Sequence, residues 1–132
     1  MSTPTLPPNV HTFVISVIGE ETKKPYDGTF EYKRPTLGTK TAIGRLRCQL
    51  NGDLKNLDAG TERFNDIYAT LFHCLVQSPE WWAQSGFGRD LYDQNVVEAI
   101  YLECVKYEND FFQKVYGEKV TEKEVIDEVK KV

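Results

Sequence analysis

The clearest pattern in the chain is an apolar stripe that predicts an α-helix over residues 61–77. Its members recur at intervals of three and four positions: Phe64, Ile67, Tyr68, Leu71, Phe72 and Leu75. A longer stripe predicts a helix over 93–116, with Gly117 as its stop. A shorter series of apolar residues at helical spacing predicts a helix over 39–50, and the Asn-Gly pair that follows marks its end.

Two segments before these helices favour β-strands. Residues 11–19 are rich in β-branched and aromatic side chains, and residues 29–33 alternate between apolar and polar ones. Between them, Pro25 and the pair Asp27-Gly28 are typical of a tight turn. The pattern therefore predicts a β-hairpin over residues 10–34.

Together these elements predict an α+β domain that is mainly α-helical, with the N-terminal β-hairpin packed on three to four helices. The 132 residues, 40% of them hydrophobic, suffice for one core. We expect a flexible arm over 1–9, one globular domain over 10–117, and a separately capped C-terminal helix over 121–132. Val125 and Val129 form part of a narrow apolar stripe on that helix and are candidate contacts for self-assembly.

Charge narrows the classes of partner. The net charge of −4 disfavours nucleic acid or an anionic membrane as a partner, and no apolar run is long enough to span a bilayer. Residues 1–57 carry a balance of +3 and residues 58–132 one of −7, so like molecules would be able to stack head to tail. A basic run over 33–47, which includes Arg45 and Arg47, favours an acidic protein surface as its partner.

Side chains that carry catalysis or bind metals are sparse. His73, Cys74 and Cys104 lack an evident fourth ligand, so we expect ordinary packing there. The three cysteines, Cys48, Cys74 and Cys104, are widely spaced, and we expect all of them to be free, buried thiols. We predict no catalytic residue, no metal and no cofactor. The enzyme alternative is a small metal-dependent nuclease that uses Glu31 and Lys33 on one strand, where the carboxylate would bind the metal and the lysine would support the attacking water.

Aspartates near the starts of the two long helices have a simpler interpretation than metal binding. Either Asp58 or Thr61 is the expected N-cap of the first helix, and Asp90 or Asp93 that of the second.

The most distinctive stretch holds two adjacent tryptophans in the sequence SPEWW, at residues 78–82. At least one ring should pack at the junction of the helices, because indole is costly to leave in water. The pair belongs either to the core or to a partner-binding anchor. The sequence RDLYD follows at 89–93 and contains Tyr92, and VVxxIY follows at 96–101.

Together with the strand pair and residues 33–52, this stretch resembles the tail assembly chaperones of long-tailed (lambda-like, siphovirus) double-stranded DNA bacteriophages. The resemblance covers about residues 30–112. It implies a non-enzymatic protein that binds the tape measure protein and keeps it soluble in the host cell cytoplasm during tail morphogenesis. Such a protein is absent from the mature virion.

The resemblance also implies self-association, as an open or spiral stack of copies. It further implies a longer form made by ribosomal frameshifting, through which the tail tube protein is recruited. Codons for Lys130 and Lys131 are compatible with a slippery site. On this hypothesis Trp81, Trp82 and Tyr92 are the expected contacts. A further alternative is a stoichiometric adaptor or regulator of another protein, which differs from the chaperone only in the identity of its partner.

Overall fold

The computed structural model describes residues 7–52 and 57–131, with side chains through residue 117. Within these ranges the chain forms three strands and four helices, which confirms the α+β, mainly helical class. In chain order these are β1 (Val10–Ile18), β2 (Pro25–Lys33), α1 (Leu37–Asn51), α2 (Ala59–Cys74), β3 (Leu75–Gln77), α3 (Glu80–Gln84) and α4 (Gln94–Lys131).

The sheet is antiparallel, in the order β1-β2-β3, and β1 and β2 form the predicted hairpin. Alternation along both strands sends Phe13, Ile15, Phe30 and Tyr32 into the core. The turn runs through residues 19–24, where Gly19 N donates to Lys24 O. The predicted turn residues instead lie within β2, so that part of the prediction is wrong.

Gly28 has a packing role in β2 rather than a turn role. A Cβ added there would lie 2.5 Å from Pro79 Cγ. Because only glycine leaves that space, the segment that leads into α3 can pack directly on the central strand.

Two helix starts use side-chain caps. Thr36 caps α1 by accepting a hydrogen bond from Thr39 N at 3.1 Å, so this helix begins two residues before the predicted start. Asp58 caps α2 by accepting from Thr61 N at 2.8 Å, which confirms Asp58 over Thr61 as its N-cap.

The predicted helix over 61–77 is wrong at its C-terminal end. α2 ends at Cys74, and Leu75–Gln77 form the third strand. The apolar stripe reaches Leu75, but pairing with Tyr32 and Glu31 on β2 takes the chain out of the helix.

The long helix α4 does not stop at Gly117, contrary to the prediction, and it continues to Lys131. Gly117 is not among the glycines with positive φ, and glycine inside a helix costs only about 1 kcal/mol relative to alanine. The predicted separate helix over 121–132 is therefore the end of α4 within the described backbone. The side chains of Val125 and Val129 lie outside the described residues.

The predicted arm over 1–9 is partly tied to the domain. Pro8 O accepts a hydrogen bond from the Tyr107 hydroxyl, and Asn9 O accepts one from Arg34 N. Residues 1–6 of that arm lie outside the described residues.

The core lies between the inner face of the hairpin, α2 and the first part of α4. Its largest fully buried side chains are Trp82, Phe30, Leu71, Ile100, Val96, Asp93, Cys74 and Cys104.

Candidate functional site

The second tryptophan of the pair belongs to the core. Trp82 is 1% exposed, and its ring meets Phe30 edge to face with centroids 5.8 Å apart. The backbone of Gly88 lies against the six-membered ring of Trp82, because a Cβ at that residue would lie 2.6 Å from Trp82 Cη2. Trp82 is therefore unavailable as a contact for a partner in the folded protein.

The first tryptophan holds the hairpin against α3. Trp81 is half-buried, and its Nε1 donates a hydrogen bond to Asp27 O at 2.9 Å. Its ring packs edge to face on Tyr26 and Phe30. The structure therefore gives both tryptophans a packing role, which is the core interpretation of the two that the sequence allowed.

Two other aromatic rings are presented to solvent side by side. Phe72 on α2 is 42% exposed and Phe87 is 38% exposed, with ring centroids 5.3 Å apart in an edge-to-face pair. Tyr68 packs beneath Phe72, with centroids 5.8 Å apart. We call these three residues the aromatic platform.

The loop that carries Phe87 is held in a defined conformation. Phe87 has φ = 57°, in the left-handed region, between Gly86 and Gly88, which also have positive φ. Its N–H donates to Trp82 O at 2.9 Å. A bulky residue with positive φ is uncommon and costs free energy, so this backbone holds the ring outward at the expense of stability.

Two grooves adjoin the platform and share Phe72. One lies between α1 and α2 and has a volume of about 500 Å³. The other lies beside the Phe87 loop and has a volume of about 410 Å³. Their walls combine apolar, hydroxyl and basic groups: the first is lined by Gly38, Thr41, Ala42, Arg45, Leu46, Gln49, Phe72 and His73, and the second by Tyr68, Phe72, Gly86, Phe87, Arg89 and Asp90.

The charged side chains at these grooves are of both signs, because Arg89 and Asp90 line the second groove together. Arg45 lines the first groove, and the Arg89 guanidinium lies over the Tyr68 ring, 5.2 Å from its centroid. Arg47 is exposed and forms an ion pair with Asp66, with 3.4 Å between Nε and Oδ1. Arg45 is thus the charged residue that lines the first groove, and the preference for an acidic partner stays a prediction.

The predicted basic run does not form one surface. Arg34 turns to α4, where its Nε contacts both oxygens of Glu108 at 3.1 Å and its guanidinium covers the Phe111 ring. Glu108 also accepts a hydrogen bond from the Tyr32 hydroxyl at 2.7 Å. Burial, followed by this bond, raises the pKa of Tyr32.

Tyr92 is 77% exposed and lies at a different groove, of about 390 Å³, which Phe64, Leu91 and Val97 also line. The structure therefore does not bring Tyr92 together with Arg45 at one groove.

Asp93 directly precedes α4, but its described side-chain hydrogen bonds lead to the β1–β2 turn instead of to the helix that it was predicted to cap. Its buried carboxylate accepts hydrogen bonds from Glu21 N, Thr22 N and the Thr22 hydroxyl in the β1–β2 turn. Burial raises the pKa of this carboxyl, but the hydrogen bonds lower it more, so the net shift is downward. We call this set of contacts the Asp93 latch.

The residues of the enzyme alternative lie on β2. Glu31 is opposite Thr12 on β1 and Gln77 on β3, neither of which is acidic. Asp27, predicted in the turn, is on the same strand as Glu31. Among the side chains described, no three His, Cys, Asp or Glu groups gather as a metal site.

The cysteines differ in exposure. Cys74 and Cys104 are buried as predicted, and burial raises the pKa of the Cys74 thiol to about 11. Cys48 on α1 is exposed, so the expectation of three buried thiols is wrong for that residue.

Comparison of the chain with protein-family models, with curated proteins and with solved structures gives no match. No helix within residues 7–52 and 57–131 combines the length and apolar character that a membrane span requires. The resemblance to tail assembly chaperones therefore stays a prediction.

Sequence reasoning missed the platform for a physical reason. Phe72 fits the buried stripe of α2 by spacing alone, although its ring is exposed. The sequence Gly86-Phe87-Gly88 is the one available signal, because a large apolar residue between two glycines has few neighbours to bury it.

Proposed function

We propose that the chain is a non-enzymatic, protein-binding tail assembly chaperone of a long-tailed bacteriophage, and that it keeps the tape measure protein soluble. The observation that carries the binding role is the exposed Phe72–Phe87 pair between two grooves. Exposed aromatic rings beside a groove are typical of surfaces that bind one apolar face of a helix.

The chemistry of the rim indicates what kind of helix binds. Arg45 lines the first groove, whose walls are mainly apolar, so the preferred partner segment there is an amphipathic helix with Leu or Phe on one face and Asp or Glu beside it. A long, largely helical tape measure protein would offer such segments repeatedly. Coating them would keep their apolar faces out of water until the tail tube assembles.

The rest of the proposal follows from the resemblance. The chaperone acts in the host cell cytoplasm and is absent from the mature virion. A longer product made by ribosomal frameshifting would recruit the tail tube protein. The chain would also associate with further copies of itself.

The test is coexpression with the tape measure protein encoded in the same genome, followed by measurement of its soluble fraction and of copurification. The double variant Phe72→Ala/Phe87→Ala should lower affinity for the tape measure protein by about 30-fold or more, because central aromatic contacts commonly contribute at least about 2 kcal/mol. Arg45→Glu should weaken binding as well.

A matched control is Leu102→Ala/Phe112→Ala. These α4 side chains are 52% and 46% exposed and line none of the grooves described above, so binding should be unchanged. If the platform variant stays folded by circular dichroism and still solubilises the tape measure protein, the platform is not the binding site. If the wild-type chain fails to solubilise it, the chaperone proposal fails and the adaptor alternative replaces it.

A further inference from the structure

The first strand has one edge without a partner strand. In the described residues the sheet ends at β1, which pairs only with β2 over nine residues. Asn9 O accepts from Arg34 N, and Gly19 N donates to Lys24 O, so the odd-numbered residues of β1 bond to β2. The even-numbered residues therefore direct their N–H and C=O groups away from the sheet.

One contact confirms this direction and marks where the open edge ends. Asn95 Nδ2 on α4 donates a hydrogen bond to Ile18 O, an even-numbered residue, at 2.9 Å. The outward groups of Thr12, Val14 and Ser16 lie before that point on the strand.

β1 carries none of the features that usually protect an edge strand. The sequence VHTFVISVI contains no Lys, Arg, Asp, Glu or Pro. Val14 is 70% exposed and Ile18 is 59% exposed. A long, uncharged, β-branched edge is a template for pairing with another strand.

We propose that β1 is a self-association surface, on which β1 of a second copy of this chain pairs antiparallel about a two-fold axis at Val14. The two sheets then join as one of six strands. The occupant is a second copy because the strand is complementary to itself in this register. This inference is argued from β1 alone and does not depend on binding of the tape measure protein. It gives the self-association in the proposed function a closed two-fold form instead of an open or spiral stack.

In this register, residues of the same chemical type lie opposite each other on the exposed face of the sheet. Val14 lies opposite Val14 of the partner subunit, Thr12 opposite Ser16 of the partner subunit, and Val10 opposite Ile18 of the partner subunit. Apolar residues thus meet apolar residues, and hydroxyls meet hydroxyls. The outward groups at residues 12, 14 and 16 provide about six backbone hydrogen bonds between the strands.

Neighbouring registers are worse. With the axis at Phe13, Val14 faces Thr12 of the partner subunit and Ile18 faces Pro8 of the partner subunit, which has no N–H to donate. With the axis at Ile15, Val14 faces Ser16 of the partner subunit and Val10 faces Glu20 of the partner subunit. The absence of charge on β1 also lets two copies with a net charge of −4 each meet there without direct like-charge contact.

The first experiment measures the mass of the purified chain by light scattering and sedimentation. The wild type should be a dimer of twice 15.2 kDa. Val14→Lys places two ammonium groups at the axis and should raise the dimer dissociation constant by about a hundredfold. The matched control is Thr29→Lys, on the neighbouring strand opposite Val14 and also exposed, which should leave the dimer intact.

Cysteine cross-linking tests the register and does not depend on how Val14→Lys folds. In a Cys48→Ser background, Val14→Cys should form a disulfide-linked dimer with oxidised glutathione as oxidant, because directly hydrogen-bonded antiparallel residues have Cα atoms about 5.5 Å apart. Thr12→Cys alone should not cross-link. A mixture of Thr12→Cys and Ser16→Cys should give only the mixed dimer.

Three outcomes overturn the inference. They are a wild type that stays monomeric at all concentrations, a Val14→Lys dimer as tight as the wild type, and cross-linking at Thr12→Cys but not at Val14→Cys. Failure to bind the tape measure protein would leave all of these measurements unaffected. A monomeric wild type would remove the self-association from the proposed function but would leave binding of the tape measure protein to be decided by its own test.

Discussion

Replacing Gly88 by alanine should destabilise the domain more than an ordinary surface substitution would. Gly88 has φ = 93°, which L side chains rarely adopt. A Cβ there would lie 2.6 Å from Trp82 Cη2 and 2.9 Å from Cζ3. Trp82 is 1% exposed and packed on Phe30, so its ring has little room to move aside.

The magnitude combines two effects. A non-glycine residue in a rarely adopted backbone conformation costs about 1–3 kcal/mol, and overpacking a filled core costs about 1–3 kcal/mol more. We expect Gly88→Ala to lower the free energy of unfolding by roughly 2–6 kcal/mol, and the Tm by roughly 8–24 °C for a chain of this length.

Gly44→Ala provides the control. Gly44 lies inside α1, its φ is not positive, and no heavy atom lies within 4 Å of the added Cβ. This substitution should raise the free energy of unfolding by about 0.5–1 kcal/mol. Urea denaturation followed by far-ultraviolet circular dichroism measures both variants. If Gly88→Ala falls within 0.5 kcal/mol of the wild type, the tight contact with Trp82 is not real.

Three further substitutions or treatments have distinct expected results. Asp93→Asn should lower the free energy of unfolding at pH 7. The variant should then lose less of its remaining stability than the wild type does as the pH falls from 7 to 3, measured by urea denaturation. The reason is that the pKa of Asp93 is lower in the folded protein than in the unfolded chain. Its carboxylate therefore contributes fully to the free energy of unfolding above about pH 4, and this contribution is lost as the pH falls through the native pKa. An aromatic disulfide reagent should modify one thiol of the native protein, Cys48, and three in denaturant, because Cys74 and Cys104 are buried with raised pKa values. Trp82→Ala should lower the free energy of unfolding by about 3–5 kcal/mol, measured by chemical denaturation.

Each of these predictions has its own control. Asp110→Asn, at an exposed position on α4, should leave the acid profile unchanged, and a similar profile for Asp93→Asn would refute the latch. Cys48→Ser should abolish the native thiol reaction, and residual fast reaction would place another thiol at the surface. Trp81→Ala should destabilise less than Trp82→Ala, and the reverse order would contradict their burial.

Features set by neighbouring residues could be predicted from the sequence. The hairpin, the apolar stripe of α2 and the cap at Asp58 depend on alternation, helical spacing and one local hydrogen bond. Each of these signals lies within a few residues of the element that it predicts.

Features set by distant parts of the chain could not be predicted. Leu75 fits the helical stripe, but its partner Tyr32 on β2 is far away in sequence and draws it into a strand. The local sequence predicts a turn at Gly28, but the chain that packs on this residue, at Pro79, comes 51 positions later. Asp93 bonds to Thr22 across 71 positions, so a local rule gives only its place before the helix.

The exposure of the candidate binding residues could not be predicted either, because the spacing of residues along a helix does not measure it. The tryptophan pair stood out in the sequence but is largely used in packing, whereas Phe72 matched a core stripe and reached solvent. An apolar position on a helix is buried only where another element covers it. The sequence of α2 does not show which of its apolar positions, such as Phe72, are left uncovered.

The order of the elements has a consequence during synthesis. The hairpin is complete by Lys33, but Glu108, which accepts a hydrogen bond from Tyr32, is made 76 residues later than that tyrosine. At about 5–20 residues per second, the ribosome takes about 4–15 s to make this stretch. For that interval Phe13 and Phe30 have no α4 to cover them, so slower translation before α4 prolongs the time in which a nascent chain can pair with the wrong neighbour.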